Sequence, residues 1–156
     1  MARTRRIKAE GEAFYHVTSR ITGKQFLLKD PAVKKLMLDA LERSARFSGV
    51  RVGGFCIMDD HFHLLFQVPS IDPENLSETE LLDRIEILSG KVRADRLHDK
   101  WADLRLAGDT HSIEEEQQRW RRRMYDISEF MKTFKEEFRR AYQKKYEYSG
   151  RLWGDR

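Results

Sequence analysis

The sequence predicts an α+β fold, an antiparallel sheet with helices on one face and a helical insertion, and three observations lead there. Short segments rich in β-branched and aromatic residues alternate with long ones whose apolar residues recur every three or four positions. Two of the short segments follow each other closely, as the arms of a hairpin do. Between the last strand-like segment and the last helical one lies a long charged stretch with little strand signal.

The first strand is predicted over Ala13 to Arg20 (AFYHVTSR), with Phe14, His16 and Thr18 sharing one face, followed by a turn at Gly23. Asp30 before Pro31 marks a helix start: the carboxylate accepts an orphan amide, and proline suits the first helical position. Val33, Leu36, Met37, Ala40 and Leu41 then give one apolar stripe that continues to Phe47, and Gly49 supplies the stop. Val50 to Met58, loosened by Gly53 and Gly54, and His61 to Val68 are the second and third strands, joined through Asp59 and Asp60.

Pro69, Ser70, Asp72 and Pro73 break the third strand, and a helical insertion is expected over about residues 70–126. Leu81, Leu82, Ile85 and Leu88 suggest its first helix. Trp101, Leu104 and Leu106 suggest a second, and Ile113 to Met124 a third. The last long helix starts at Ile127, its apolar face made by Ile127, Phe130, Met131, Phe134, Phe138, Ala141 and Tyr142. Lys132, Lys135, Arg139 and Gln143 lie on a neighbouring stripe, free to meet phosphate while the other side packs. Strand, helix, strand, strand, helix is the order of a ferredoxin-like split βαβ arrangement without its final strand. All 156 residues are expected to form one domain.

Composition narrows the function classes. The net charge is +4 and the pI about 9.2, but the basic residues cluster: Arg3, Arg5, Arg6 and Lys8 at the start, and Arg119, Arg121, Arg122 and Arg123 further on. Such clusters suit a polyphosphate partner, because neutralised phosphates release counterions, although solubility alone accounts for them equally well. Cys56 is the single cysteine, so an intrachain disulfide and a four-cysteine zinc site are both excluded, and a reducing cytoplasm fits. No apolar run approaches the length of a membrane span, and the basic start is not followed by the apolar stretch of a secretory signal.

The sharpest chemical feature is His61-Phe62-His63. Alternation along a strand sends both imidazoles to one face and Phe62, Leu64 and Phe66 to the other. The histidine attachment points are then about 6.6 Å apart, from which two inclined rings can meet at one cation. Further ligands would be water or an oxygen- or nitrogen-bearing neighbour, with His16, Asp59 and Asp60 the local candidates.

Four segments give this triplet a context: YHVTSR at Tyr15 to Arg20, MDDHFHLLFQVP at Met58 to Pro69, ISEFMKTFKEEFRRAYQKKY at Ile127 to Tyr146, and SGRLWGDR at Ser149 to Arg156. With them the chain resembles the HUH single-tyrosine transposases, specifically the REP-associated tyrosine transposases and their insertion-sequence relatives. Asp59 and Asp60 stand where the family usually has Pro-Asn, while Gly150, Leu152 and Trp153 match its Gly-x-Leu-Trp block. The resemblance implies a tyrosine hydroxyl that attacks a phosphodiester of single-stranded DNA, leaving a 5′-phosphotyrosine and a free 3′-hydroxyl. It also implies a magnesium or manganese ion on His61 and His63; imidazole ligands alone would equally suit zinc.

In the family the nucleophilic tyrosine and the third metal ligand come from a helix beyond the Gly-x-Leu-Trp block. The sequence ends at Arg156, so that catalytic helix has no counterpart, and Tyr15, Tyr125, Tyr142, Tyr146 and Tyr148 do not occupy the nucleophile position. The expectation is therefore a chain that binds DNA without cutting it. The implied partners are single-stranded or hairpin DNA, with a homodimer as one arrangement of the protein. Arg20, Lys132, Lys135 and Arg139 are the candidate DNA contacts, with Arg5 and Arg6 in an N-terminal arm. A non-catalytic module holding a DNA or RNA hairpin is the competing reading, since sheets of this kind also stack bases on exposed aromatics.

Overall fold

A computed structural model describes residues 11–22 and 26–153. The elements run β1 (Ala13–Arg20), α1 (Pro31–Ser48), β2 (Arg51–Ile57), β3 (His61–Val68), α2 (Glu78–Ser89), α3 (Lys91–Leu106), α4 (Thr110–Arg121) and α5 (Ile127–Tyr146), with short 3-10 turns at Leu27–Lys29 and Pro73–Asn75. The fold is α+β with an open, antiparallel, three-stranded sheet in the order β1-β3-β2. The turn expected at Gly23 and the arm residues Arg5 and Arg6 lie outside the described residues.

The helix signals act where the sequence places them. Asp30 accepts the Ala32 amide at 2.8 Å, and α1 ends at Gly49, whose φ of 75° is open to glycine and costly to other residues. In β3 the alternation is carried through: Phe62, Leu64, Phe66 and Val68 are buried, and His61, His63, Leu65 and Gln67 are not. The buried set meets Val33, Met37 and Leu41 of α1 and Phe130, Phe134 and Phe138 of α5 in one core. Each such side chain contributes about 1.5–3 kcal/mol by leaving water. Edge-to-face contacts of Phe62 with Phe134, and of Phe66 with Phe130, at 5.5 and 5.1 Å, fix α5 over the central strand. Both helices thus cover one face of the sheet and leave the other bare.

The insertion is helical, with boundaries that differ from the expected ones. α3 begins at Lys91, ten positions before the expected Trp101, because its buried face is only Ala94, Leu97 and Trp101 amid charged residues. The third helix runs over Thr110–Arg121 rather than Ile113 to Met124, since Asp109 caps it by accepting the Ser112 amide at 3.0 Å. Leu81, Ile85, Leu88, Trp101, Ile113 and Trp120 enclose a second core that is closed by Phe47 from α1.

The joint between the two cores is Tyr125. Its amide donates to the Ser48 carbonyl at 2.7 Å, and Arg84 donates to its hydroxyl at 2.8 Å and to the Phe47 carbonyl at 3.2 Å. The entry and exit of the insertion, Val68 to Asp72 and Tyr125 to Ile127, line one cleft of about 330 Å³ together with Gly11 and Tyr15.

Candidate functional site on the open face of the sheet

The bare face is a small grid whose rows follow from strand register. Arg20 stands opposite His61, Thr18 opposite His63, His16 opposite Leu65, and Phe14 opposite Gln67. On the other side of β3, Cys56 stands opposite His63, Gly54 opposite Leu65, and Arg51 opposite Gln67. Residues that alternate to the same side on three strands are thereby gathered on one surface.

Each histidine is held from behind. The His61 Nδ1 lies 2.6 Å from Asp60 Oδ1, and because a carboxylate accepts, that nitrogen carries the proton and the Nε2 keeps a lone pair. The other Asp60 oxygen meets Arg20 Nε at 3.5 Å. The hydrogen bond from His61, opposed by partial burial and aided by the Arg20 charge, holds the Asp60 carboxyl below the usual aspartate range.

His63 Nδ1 is 3.1 Å from His16 Nε2 and 3.0 Å from the Thr18 hydroxyl. The His16 and His63 rings lie nearly parallel, 5.2 Å between centres, and the His61 and His63 rings are also 5.2 Å apart, inclined by 73°. A proton on His63 Nδ1 donated to His16 satisfies both rings and leaves the His63 Nε2 with a lone pair.

The three residues named as further ligands are thus arranged differently from a cage. His16 supports His63, Asp60 supports His61, and Asp59 is exposed, 3.9 Å from Lys34. Among the described residues no group of three or more histidine, cysteine, aspartate or glutamate side chains is disposed to hold a metal ion. The donor chemistry fits two nitrogen ligands backed by hydrogen bonds, with the other coordination positions left to water or a substrate oxygen.

Arg20 belongs to this surface, with its side chain 61% exposed while it pairs with Asp60. The other predicted contacts sit on α5, in the layer that covers the opposite face. Lys132 is 3.6 Å from Glu129, and Lys135 lies over the Trp153 ring at 5.0 Å. Arg139 is clamped by both oxygens of Glu136 and by Gln143. The structure therefore brings Arg20 to the histidines and leaves Lys132, Lys135 and Arg139 apart from them. All five tyrosines are also elsewhere: Tyr15 on the core side of β1, Tyr125 at the joint, Tyr142 buried against α5 neighbours, Tyr146 bonded to Asp30, and Tyr148 bonded to the Arg151 carbonyl. Comparison of the chain with protein-family models, with curated proteins and with solved structures finds no match, and the case for its function rests on the residues of this face.

Proposed function

We propose that this chain is a metal-dependent DNA-handling domain of the HUH single-tyrosine transposase type, a ferredoxin-like split βαβ unit that grips single-stranded or hairpin DNA on its open face. The observation that carries the reading is the pair His61 and His63, side by side on the solvent side of the central strand, each backed by a partner on its Nδ1. The strand order β1-β3-β2, with α1 between β1 and β2, agrees with the first three strands of that fold. A divalent magnesium or manganese ion on the two imidazoles would act as a Lewis acid toward a phosphodiester oxygen.

The chain's own residues supply the positioning. Asp60 and His16 fix the ring orientations and direct the Nε2 lone pairs outward. The exposed Arg20 guanidinium, held by Asp60, offers two further donors to a phosphate next to the histidines. None of the five tyrosines lies on this face, so they bind or pack, and strand cleavage requires a tyrosine other than these. That same observation favours, as the second reading, a module that holds a DNA or RNA hairpin without cutting it.

Manganese titration followed by paramagnetic resonance tests the metal reading. His61→Ala and His63→Ala should abolish tight binding, and Asp60→Asn should weaken it about 10–100-fold, as removal of an outer-shell partner does. Unchanged affinity in all three variants rejects it. Labelled hairpin DNA incubated with the protein and manganese should bind without leaving a covalent adduct on a denaturing gel. An adduct would show that one of the five tyrosines is a nucleophile after all.

A further inference from the structure

The open face does not end at the histidines. Two rows further along it, about 13 Å from the His63 row at the rise of a strand, Phe14 presents its ring 70% exposed, with Leu65 beside it 49% exposed. Beyond Leu65 stands Gly54, where an added Cβ would meet nothing within 4 Å, so the face has a hollow there. Gln67, held by Glu12, lies between Phe14 and the exposed Arg51.

We infer that Phe14 and Leu65 form a platform on which bases of a single DNA strand stack while its backbone continues to His61 and His63, an assignment that rests on the DNA-handling reading above. Three observations favour this occupant. The apolar patch is two side chains wide and bordered by His16, Gln67, Glu12 and Arg51, far short of the roughly 800 Å² per partner that a stable protein interface buries. A nucleobase covers an area of that size, and stacking on an aromatic ring is indifferent to which base arrives. The patch is continuous with the histidine site along β1 and β3, and Arg51 places a positive charge at its far border for the strand's phosphates.

The test uses a DNA hairpin whose single-stranded tail carries a fluorescent purine, with affinity read by anisotropy and stacking by quenching. Phe14→Ala should bind about tenfold more weakly and lose the quenching. Its manganese affinity should match that of the unaltered protein, because neither His61 nor His63 is touched. Phe14→Trp should restore both signals, which a merely structural role for Phe14 would not produce. Equal affinity and quenching in Phe14→Ala overturn the platform while leaving the histidine site standing. Dissociation of a dimer by Phe14→Ala with DNA affinity unchanged overturns it in favour of a second copy, and binding of an RNA tail but not a DNA tail also overturns it. If the unaltered protein binds no hairpin, the DNA-handling reading itself fails, and the platform fails with it.

Discussion

In the sheet half of the molecule, Phe62, Phe66, Phe130, Phe134 and Phe138 are sealed between β3 and α5, while His61, His63, Leu65 and Phe14 on the reverse side meet solvent. In the insertion, Trp101, Leu81 and Ile85 are sealed just as fully, but the polar groups around them are matched to one another. Ser77 and Glu80 close a reciprocal cap, Glu116 accepts from both Lys100 and Trp101, and Glu78 accepts from both Arg105 and Gln117. Donors and acceptors that are already paired have little left for a ligand. The sheet half keeps imidazole lone pairs, a guanidinium and an aromatic ring turned outward, and binding is therefore placed there.

The largest effects probe whether the two cores are separable. Phe134→Ala should cost about 3–5 kcal/mol, read as a lower urea midpoint, and should remove manganese binding together with the fold of the sheet half. Trp101→Ala should cost a similar amount but spare the histidine face, leaving manganese affinity intact. Loss of manganese binding in Trp101→Ala would show that the halves fold as one unit. Next comes the joint: an alanine Cβ at Gly49 would stand 2.2 Å from Tyr125 Cε1 and 2.9 Å from Arg84 Nη1, in a left-handed conformation. Gly49→Ala should cost about 1–3 kcal/mol in thermal or urea unfolding.

Acid provides a subtler separation. Hydrogen bonds from the Ser77 amide and hydroxyl hold Glu80 below its usual range, and those from the Ser112 hydroxyl and amide do the same for Asp109. Glu116 is pushed up by burial but pulled further down by Lys100 and Trp101. A depressed folded value means stability that is complete above the ordinary carboxylate range and lost as the pH falls through the depressed one. Fluorescence from Trp101 and Trp120 should consequently change at that point in an acid titration; a change already under way at neutral pH would contradict these assignments. The smallest effect belongs to exposed pairs such as Lys91 with Asp95, where Lys91→Ala should shift stability by no more than about 0.5 kcal/mol.

The contrast also explains what could be read from the chain alone. The faces of β3 were legible because HFHLLFQV alternates strictly, and α1 because Asp30-Pro31 and Gly49 bracket a regular stripe. The start of α3 was hidden, since Ala94 and Leu97 are weak signals between charged residues and Val92 is exposed. His16 was visible as a member of an alternating strand, but its bond to His63 spans 47 positions and exists only once β1 and β3 are in register. Lys132, Lys135 and Arg139 illustrate the converse difficulty. Helical spacing put them on one stripe, yet Glu129, Trp153 and Glu136 occupy them, and the last of these partners was discernible three residues upstream.

The shared cleft of Val68 to Asp72 and Tyr125 to Ile127 has a consequence for how such a protein is assembled. Because the strands leaving and re-entering the sheet half sit together, the segment between them is a detachable module whose length hardly alters the entropy of closing the loop. Excising it and bridging the gap with a short turn would strip the cover from Phe47 alone among the residues of α1 that join its core. A shortened chain with a polar residue at that position is the minimal gripping unit, and the three-helix module is the portion free to be exchanged, enlarged or dispensed with.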